Sequence, residues 1–228
     1  KSPSKLEFFT LNNSLNKIFE IPDNCIQYLV SPNEKYLVTY LGKSNTNLIT
    51  DYTYIKDMIT RQNVFIWDLS LKAMKKSIKI SSDETFDNTK FSNDGKFLSR
   101  LKDDVLIIYE APDFKMLKNS EGRGLPLTDK VTKYTWFPYN NYLMCINEQR
   151  KDKHINTIID FYEIPTRIKC SFSVSISNIQ VINYTWHPNG KTLLLLLKTV
   201  NSPNWSIKVV DFNLKNFTHK SSSYDVVT

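Results

Sequence analysis

A turn sequence that occurs four times constrains this chain more than any other feature. It is clearest as Trp186-His187-Pro188-Asn189-Gly190-Lys191-Thr192-Leu193. It recurs as Val30-Ser31-Pro32-Asn33-Glu34-Lys35-Tyr36-Leu37 and as Phe91-Ser92-Asn93-Asp94-Gly95-Lys96-Phe97-Leu98. A weaker copy is Trp136-Phe137-Pro138-Tyr139-Asn140-Asn141-Tyr142-Leu143. Proline presets φ at the first corner of a turn, and Asn, Asp or Gly tolerates the positive φ that follows. Apolar residues on both sides make each copy a β-hairpin connection. The copies start at 30, 91, 136 and 186, so they are spaced by 61, 45 and 50 residues. A period of roughly 40–50 residues with four strands per unit marks the blade of a β-propeller. The expected fold is therefore all-β, a WD-repeat-like propeller with about four complete four-stranded blades and partial blades at both ends.

With each turn placed between strands a and b, every repeat parses as four strands, a to d. Residues 6–9 and 17–21 read as the c and d strands of a half blade over 1–22, so the sequence enters within a blade. Complete blades are expected at about 23–80, 81–118, 130–174 and 179–220, and residues 224–228 read as the start of another, all within one propeller segment. Strands b and c are near-continuous apolar runs, most plainly 193–197 and 105–109. That pattern belongs to strands buried on both faces, as in a blade flanked by other blades. The alternative, a two-layer sandwich, has one wet face per sheet and shows cleaner alternation.

Composition is that of a globular protein, with 41% hydrophobic and 23% charged residues. The longest apolar run, 193–197, is far short of the ~20 residues that span a bilayer. Residues 1–20 show no cleavage site after an apolar block, so no signal peptide is read there. Cys25, Cys145 and Cys170 are odd in number and widely spaced, which argues against a disulfide framework or a zinc site and for a reducing, cytoplasmic setting. The net charge is +7 and the pI about 9.1, a balance that favours anionic partners.

Catalytic and cofactor motifs are missing: there is no Gly-rich phosphate loop, His-Glu-x-x-His, Gly-x-Ser-x-Gly or paired Cys-x-x-Cys. Asp68, Glu110, Glu163 and Asp211 fall at one equivalent point, the end of strand c, and so read as turn-stabilising groups. The chain is expected to be no enzyme and to need no cofactor or metal. In a four-stranded meander the b–c and d–a loops leave by one face and the a–b and c–d turns by the other. The long loops, 42–62, 118–130, 149–156, 173–180 and 199–206, all belong to the first set. Loops on a rigid scaffold are where binding residues concentrate. The candidate RNA- or ribosome-contacting residues are Lys43, Lys56, Arg61, Arg123, Lys130, Arg150, Lys151 and Lys153, with Lys102 and Lys118 on the same face. Tyr52, Tyr54 and Trp205 lie among them as residues able to stack on bases.

Several segments, taken in order, resemble the propeller found in the B subunits of eukaryotic translation initiation factor 3. They are Ser31-Pro32-Asn33-Glu34-Lys35-Tyr36-Leu37, Phe65-Ile66-Trp67-Asp68, Phe91 to Arg100, Leu106-Ile107-Ile108-Tyr109-Glu110-Ala111-Pro112, Tyr162-Glu163-Ile164-Pro165-Thr166-Arg167 and Trp186 to Leu197. The segments ending strands 105–110 and 158–163 are the most specific. The resemblance implies a non-enzymatic scaffold of the initiation machinery that docks on the small ribosomal subunit and helps assemble the pre-initiation complex. It implies as partners the A, G and I subunits of the factor, with ribosomal protein and rRNA, and no membrane. The insertion at 42–62 and the 121–130 loop depart from the family pattern. Other scaffolding propellers, such as that of initiation factor 2A, and the propeller of a serine peptidase are the alternatives; the peptidase also needs a hydrolase domain with a nucleophile elbow.

Overall fold

The computed structural model describes residues 6–10, 16–21, 25–41, 63–80, 85–118, 130–151, 154–166, 169–213 and 218–226. Strands β1 (Leu6–Thr10) and β2 (Asn16–Ile21) form a two-stranded antiparallel sheet. Four four-stranded antiparallel sheets follow. The first holds β3 (Gln27–Val30), β4 (Tyr36–Tyr40), β5 (Val64–Asp68) and β6 (Ala73–Ile78). The second holds β7 (Thr89–Phe91), β8 (Phe97–Lys102), β9 (Val105–Glu110) and β10 (Lys115–Met116), entered through a single 3-10 turn at Phe86–Asn88. The third holds β11 (Lys133–Trp136), β12 (Tyr142–Lys151), β13 (His154–Glu163) and β14 (Lys169–Ser177), and the fourth β15 (Ile179–Trp186), β16 (Thr192–Thr199), β17 (Trp205–Asn213) and β18 (Thr218–Val226). In every sheet the spatial order follows the chain order, the meander of a propeller blade.

The repeated turn has a repeated hydrogen-bond pattern. In the first copy the Ser31 N–H donates to the Tyr36 carbonyl (2.9 Å), and the Tyr36 N–H donates to Ser31 Oγ (2.9 Å). Ser92 and Phe97 repeat both bonds at 2.8 and 2.9 Å. Phe137 with Tyr142, and His187 with Thr192, keep the backbone bond at 2.9 Å. Equivalent positions Glu34, Gly95 and Gly190 have φ of 56°, 71° and 66°, the left-handed corner that favours glycine. Neighbouring turns also touch. Asn33 Nδ2 donates to the Asp94 carbonyl at 3.0 Å, Asn141 bonds the Asp94 carboxylate, and the Tyr139 hydroxyl donates to the Pro188 carbonyl. A Cβ on Gly95 would come within 2.4 Å of the Asn33 side chain, so glycine here serves close approach as well as backbone conformation.

Three cores lie between successive sheets. Tyr36, Val38 and Ile66 of the first sheet meet Phe91, Leu98 and Tyr109 of the second. Leu106 and Ile108 of the second meet Tyr134, Leu143 and Cys145 of the third. Met144, Ile159 and Phe161 of the third meet Leu193, Leu195 and Val210 of the fourth. Residues 36–39 are all buried, as expected for a strand covered on both faces.

Strand ends depart from the sequence reading in three places. The fourth strands of the last two sheets run past 174 and 220. Ser175 and Ser177 pair with Ile158 and Asn156, and Ser221, Ser222 and Ser223 pair with Val210, Val209 and Lys208. Serine gives no apolar signal, but its backbone fills a ladder as well as any other residue. Asp225 and Val226 therefore lie in β18, paired with Ser206 and Trp205, and do not begin a further strand. The expected loops at 149–156 and 173–180 are mostly strand: β12 runs to Lys151, β13 begins at His154, and Asn178 alone separates β14 from β15, while 152–153 lie outside the described residues.

Two of the acidic residues at the end of strand c, Asp68 and Asp211, bond to neighbouring groups as their spacing predicts. Asp68 Oδ1 accepts from the Ser70 hydroxyl (2.6 Å), the Ser70 N–H (3.0 Å) and the Leu71 N–H (3.0 Å). Asp211 Oδ1 accepts from the Thr192 hydroxyl at 2.6 Å. The Ser70 hydroxyl bond, against a smaller opposing effect of burial, holds the Asp68 carboxyl below its usual range, helped by the Leu71 and Ser70 N–H groups and Lys75. A depressed folded pKa stabilises the protein above the unfolded value near 3.9, and that contribution is lost as pH falls through the folded value. Asp68→Ala is expected to cost about 1 kcal/mol near neutral pH. Denaturant titrations at two pH values should show the deficit shrinking in acid; an equal deficit at both would contradict the role.

Candidate nucleic-acid interface

The face carrying the b–c and d–a connections is built from main-chain bonds between neighbouring loops. The Leu41 N–H donates to the Asn63 carbonyl (2.9 Å), so the two ends of the 42–62 insertion are held side by side. Asn63 also brackets Ile80, with Nδ2 donating to its carbonyl at 2.9 Å and Oδ1 accepting from its N–H at 2.7 Å. In the second sheet the Val131 N–H donates to the Asp104 carbonyl at 3.0 Å. Between the third and fourth sheets Asn178, at φ 59°, donates to the Ile155 carbonyl (2.6 Å) and accepts from the Val200 N–H (2.9 Å). Its side-chain Oδ1 lies 2.9 Å from His154 Nδ1.

Among the sequence-derived candidates, Lys130 is exposed beside the 103–104 turn and Arg150 is exposed near the end of β12. Lys151 is the last residue of β12 and pairs with His154. Lys102 and Lys118 lie on this face as well. Lys43, Lys56, Arg61, Arg123 and Lys153, together with Tyr52 and Tyr54, lie outside the described residues. Trp205 is half-buried with the Lys198 ammonium 5.4 Å from its ring centre.

Charge on this face is uneven. The second sheet's turn presents Asp103 and Asp104, whereas the third sheet's hairpin presents Arg150. The opposite face is not free of cations, since the repeated turns place Lys35, Lys96 and Lys191 there at equivalent positions.

Sequence reasoning missed a second use of lysine. One ammonium crosses each interface between sheets to a main-chain carbonyl. Lys76 reaches Phe114 at 2.6 Å, Lys90 reaches Tyr134 at 3.2 Å, and Lys133 reaches Val181. Lys76 and Lys90 also sit over the rings of Tyr109 (4.9 Å) and Tyr134 (5.2 Å), and burial lowers both amine pKa values. Lys133 faces Glu148 at 3.6 Å. Part of the basic excess therefore staples sheets together. Alternation on strands is the available signal, because these cations occupy positions where a neighbouring sheet is already expected.

Among the described residues no group of three or more His, Cys, Asp or Glu side chains converges to hold a metal ion. Cys25 and Cys145 are free thiols, and burial pushes both pKa values up, Cys145 far more. That is the opposite of the depressed pKa of a reactive thiol. No helix among the described residues is long and apolar enough to cross a membrane.

No family model matches the chain. A curated relative, the B subunit of eukaryotic translation initiation factor 3 from Xenopus laevis, is 26% identical over 198 residues, covering 86% of this chain and 26% of the relative. The chain is similar to the B subunit of translation initiation factor 3 along most of its length. The B subunit from Drosophila pseudoobscura pseudoobscura is 28% identical over 186 residues, covering 79% of this chain and 23% of that protein. The chain thus spans about a quarter of the length of these relatives. A crystal structure of a eukaryotic initiation factor superposes with a TM-score of 0.58 at 16% identity, covering 92% of this chain and 55% of that one. At that identity the superposition supports the propeller fold alone.

Proposed function

We propose that this chain is a propeller section of a non-enzymatic scaffold protein within an initiation factor 3 complex. In this role the propeller docks on the small ribosomal subunit through the b–c and d–a loops of one face and helps assemble the pre-initiation complex in the cytoplasm. Its partners are other components of the factor, with the A, G and I subunits named by resemblance, and ribosomal protein and rRNA. The observation that carries the proposal is similarity to the factor's B subunit over 86% of the chain. The exposed basic side chains Lys130 and Arg150 on the loop face are consistent with an anionic partner. The candidate contacts remain Lys43, Lys56, Arg61, Arg123, Lys130, Arg150, Lys151 and Lys153.

The test is purification of the tagged full-length protein from its own cells under mild salt, with the co-purifying proteins identified by mass spectrometry. Other subunits of initiation factor 3 in near-stoichiometric amounts are the expected result. Recovery of the protein without any of them would overturn the assignment.

A further inference from the structure

The geometry points to Ile26, Tyr28 and Val30 as a docking row for the innermost strands of a further sheet of this same protein, with the Tyr28 hydroxyl donating to a main-chain carbonyl there. This rests on the chain being a section of a larger propeller and deepens that proposal by naming the residues that make the joint.

The row stands on the face of the first sheet that turns away from the second. Val30 pairs with Leu37 and Tyr28 with Thr39, and residues directly opposite on antiparallel strands share a face. Tyr36, Val38 and Ile66, on the other face, pack into the core shared with the second sheet. On β4 and β5 the row's face is covered: Leu37, Thr39 and Phe65 are all buried. On β3 the cover stops, and Ile26 is 65% exposed, Tyr28 58% and Val30 37%. A contiguous apolar row in water marks an interaction surface.

The other sheets show what such a row docks on. Counted back from each repeated turn, Tyr28 corresponds to Thr89, Tyr134 and Tyr184, and Val30 to Phe91, Trp136 and Trp186. The tyrosines, the tryptophans and Phe91 all pack into the core shared with the preceding sheet. Each tyrosine ends on that sheet's inner backbone. The Tyr134 hydroxyl donates to the Asn88 carbonyl, at the entry to β7, and the Tyr184 hydroxyl to the Tyr134 carbonyl on β11, both at 2.8 Å. Trp136 Nε1 donates to Ser99 Oγ on β8 at 2.7 Å. These partners lie on the first and second strands of the preceding sheet. Tyr28 brings the same ring and hydroxyl at the same register, but β1–β2, before it in chain order, has two strands where the other sheets have four. The relatives extend well beyond the matched part, which is about a quarter of their length, so chain for two more strands is at hand in such proteins. RNA suits the row less. Gln27 Nε2 donates to Asp87 Oδ1 at 3.0 Å, so the charge held beside the row is negative and opposes phosphate.

The experiment places the photo-cross-linker benzoylphenylalanine at position 26 and, separately, at position 28 of the full-length protein, purified in high salt and irradiated. Mass spectrometry identifies the peptides joined. The expected product links either position to a peptide of the same molecule, outside the 228 residues, whose apolar residues alternate as in a strand. Cross-links to a second copy, to another subunit or to RNA, or no cross-link at either position, overturn the docking row. Tyr28→Phe keeps the ring and removes the hydroxyl, so it should shift the unfolding equilibrium about fivefold toward the unfolded state. An unchanged equilibrium overturns the hydroxyl bond. The cross-link is read within one molecule, so its outcome is separate from whether other subunits of initiation factor 3 co-purify.

Discussion

Replacing Phe137 by alanine should destabilise the protein by about 4 kcal/mol, read as a shift of the denaturant midpoint at constant slope. Phe137 follows β11 within the weakest copy of the repeated turn, yet it is only 2% exposed. Its ring lies 4.2 Å from that of Trp186, 5.7 Å from Phe161, 5.8 Å from Phe212 and 5.9 Å from Tyr142. Two of these partners belong to the fourth sheet, so truncation opens a cavity where two sheets share one aromatic cluster. Lost transfer energy, the unfilled cavity and the lost edge-to-face contacts all act in the same direction. A typical domain is stable by roughly 5–15 kcal/mol, so this single change removes a large fraction. Phe137→Leu, which refills most of the volume, should recover more than half of the loss. A cost below about 1 kcal/mol for the alanine variant would mean that the third and fourth sheets do not share this core.

Ser99→Ala should cost about 2 kcal/mol although it removes a single oxygen. Ser99 is fully buried on β8, where its hydroxyl accepts from Trp136 Nε1 at 2.7 Å and donates to the Lys90 carbonyl at 2.9 Å. Tyr134 lies 3.2 Å away, with its own hydroxyl donating to the Asn88 carbonyl at 2.8 Å. Without Ser99 the tyrosine keeps a partner, but the indole N–H is left buried with none. That unmet donor, rather than the lost contact area, supplies most of the penalty. A double-mutant cycle with Trp136→Phe isolates it: Ser99→Ala should cost about 1 kcal/mol less once the indole donor is gone. Strict additivity would show that the pair is not coupled.

Phe137 and Ser99 stand on either side of the line between what is legible in this sequence and what is not. Phe137 sits in a recurring turn, and the turns are legible because Pro, Asn and Gly carry backbone instructions locally; Gly95 and Gly190 do take the left-handed corner expected of them. The b and c strands are legible because a blade covered on both faces writes a continuous apolar run, as in 36–38. Ser99, by contrast, owes its role to partners distant in sequence, and so do the other features that escape a reading of the chain alone. Ser175, Ser177 and Ser221 to Ser223 are strand residues because a neighbouring strand offers an open ladder, not because serine prefers strands. Lys76, Lys90 and Lys133 look like surface charge until the next sheet's carbonyls are placed beside them. Residues 149–151 and 154–156 read as polar loop because Ile155 is the one apolar residue among them, too little to write a strand pattern. In the candidate interface, the residue types are legible and the paired strand that carries Arg150 is not.

The most direct test of the account is co-sedimentation of the full-length protein with purified small ribosomal subunits across a salt series. Binding at low salt that falls steeply as salt rises, in proportion to the phosphates neutralised, is the predicted result. Failure to bind at about 50 mM salt, or binding indifferent to salt, would contradict a ribosome-docking propeller face built on basic side chains.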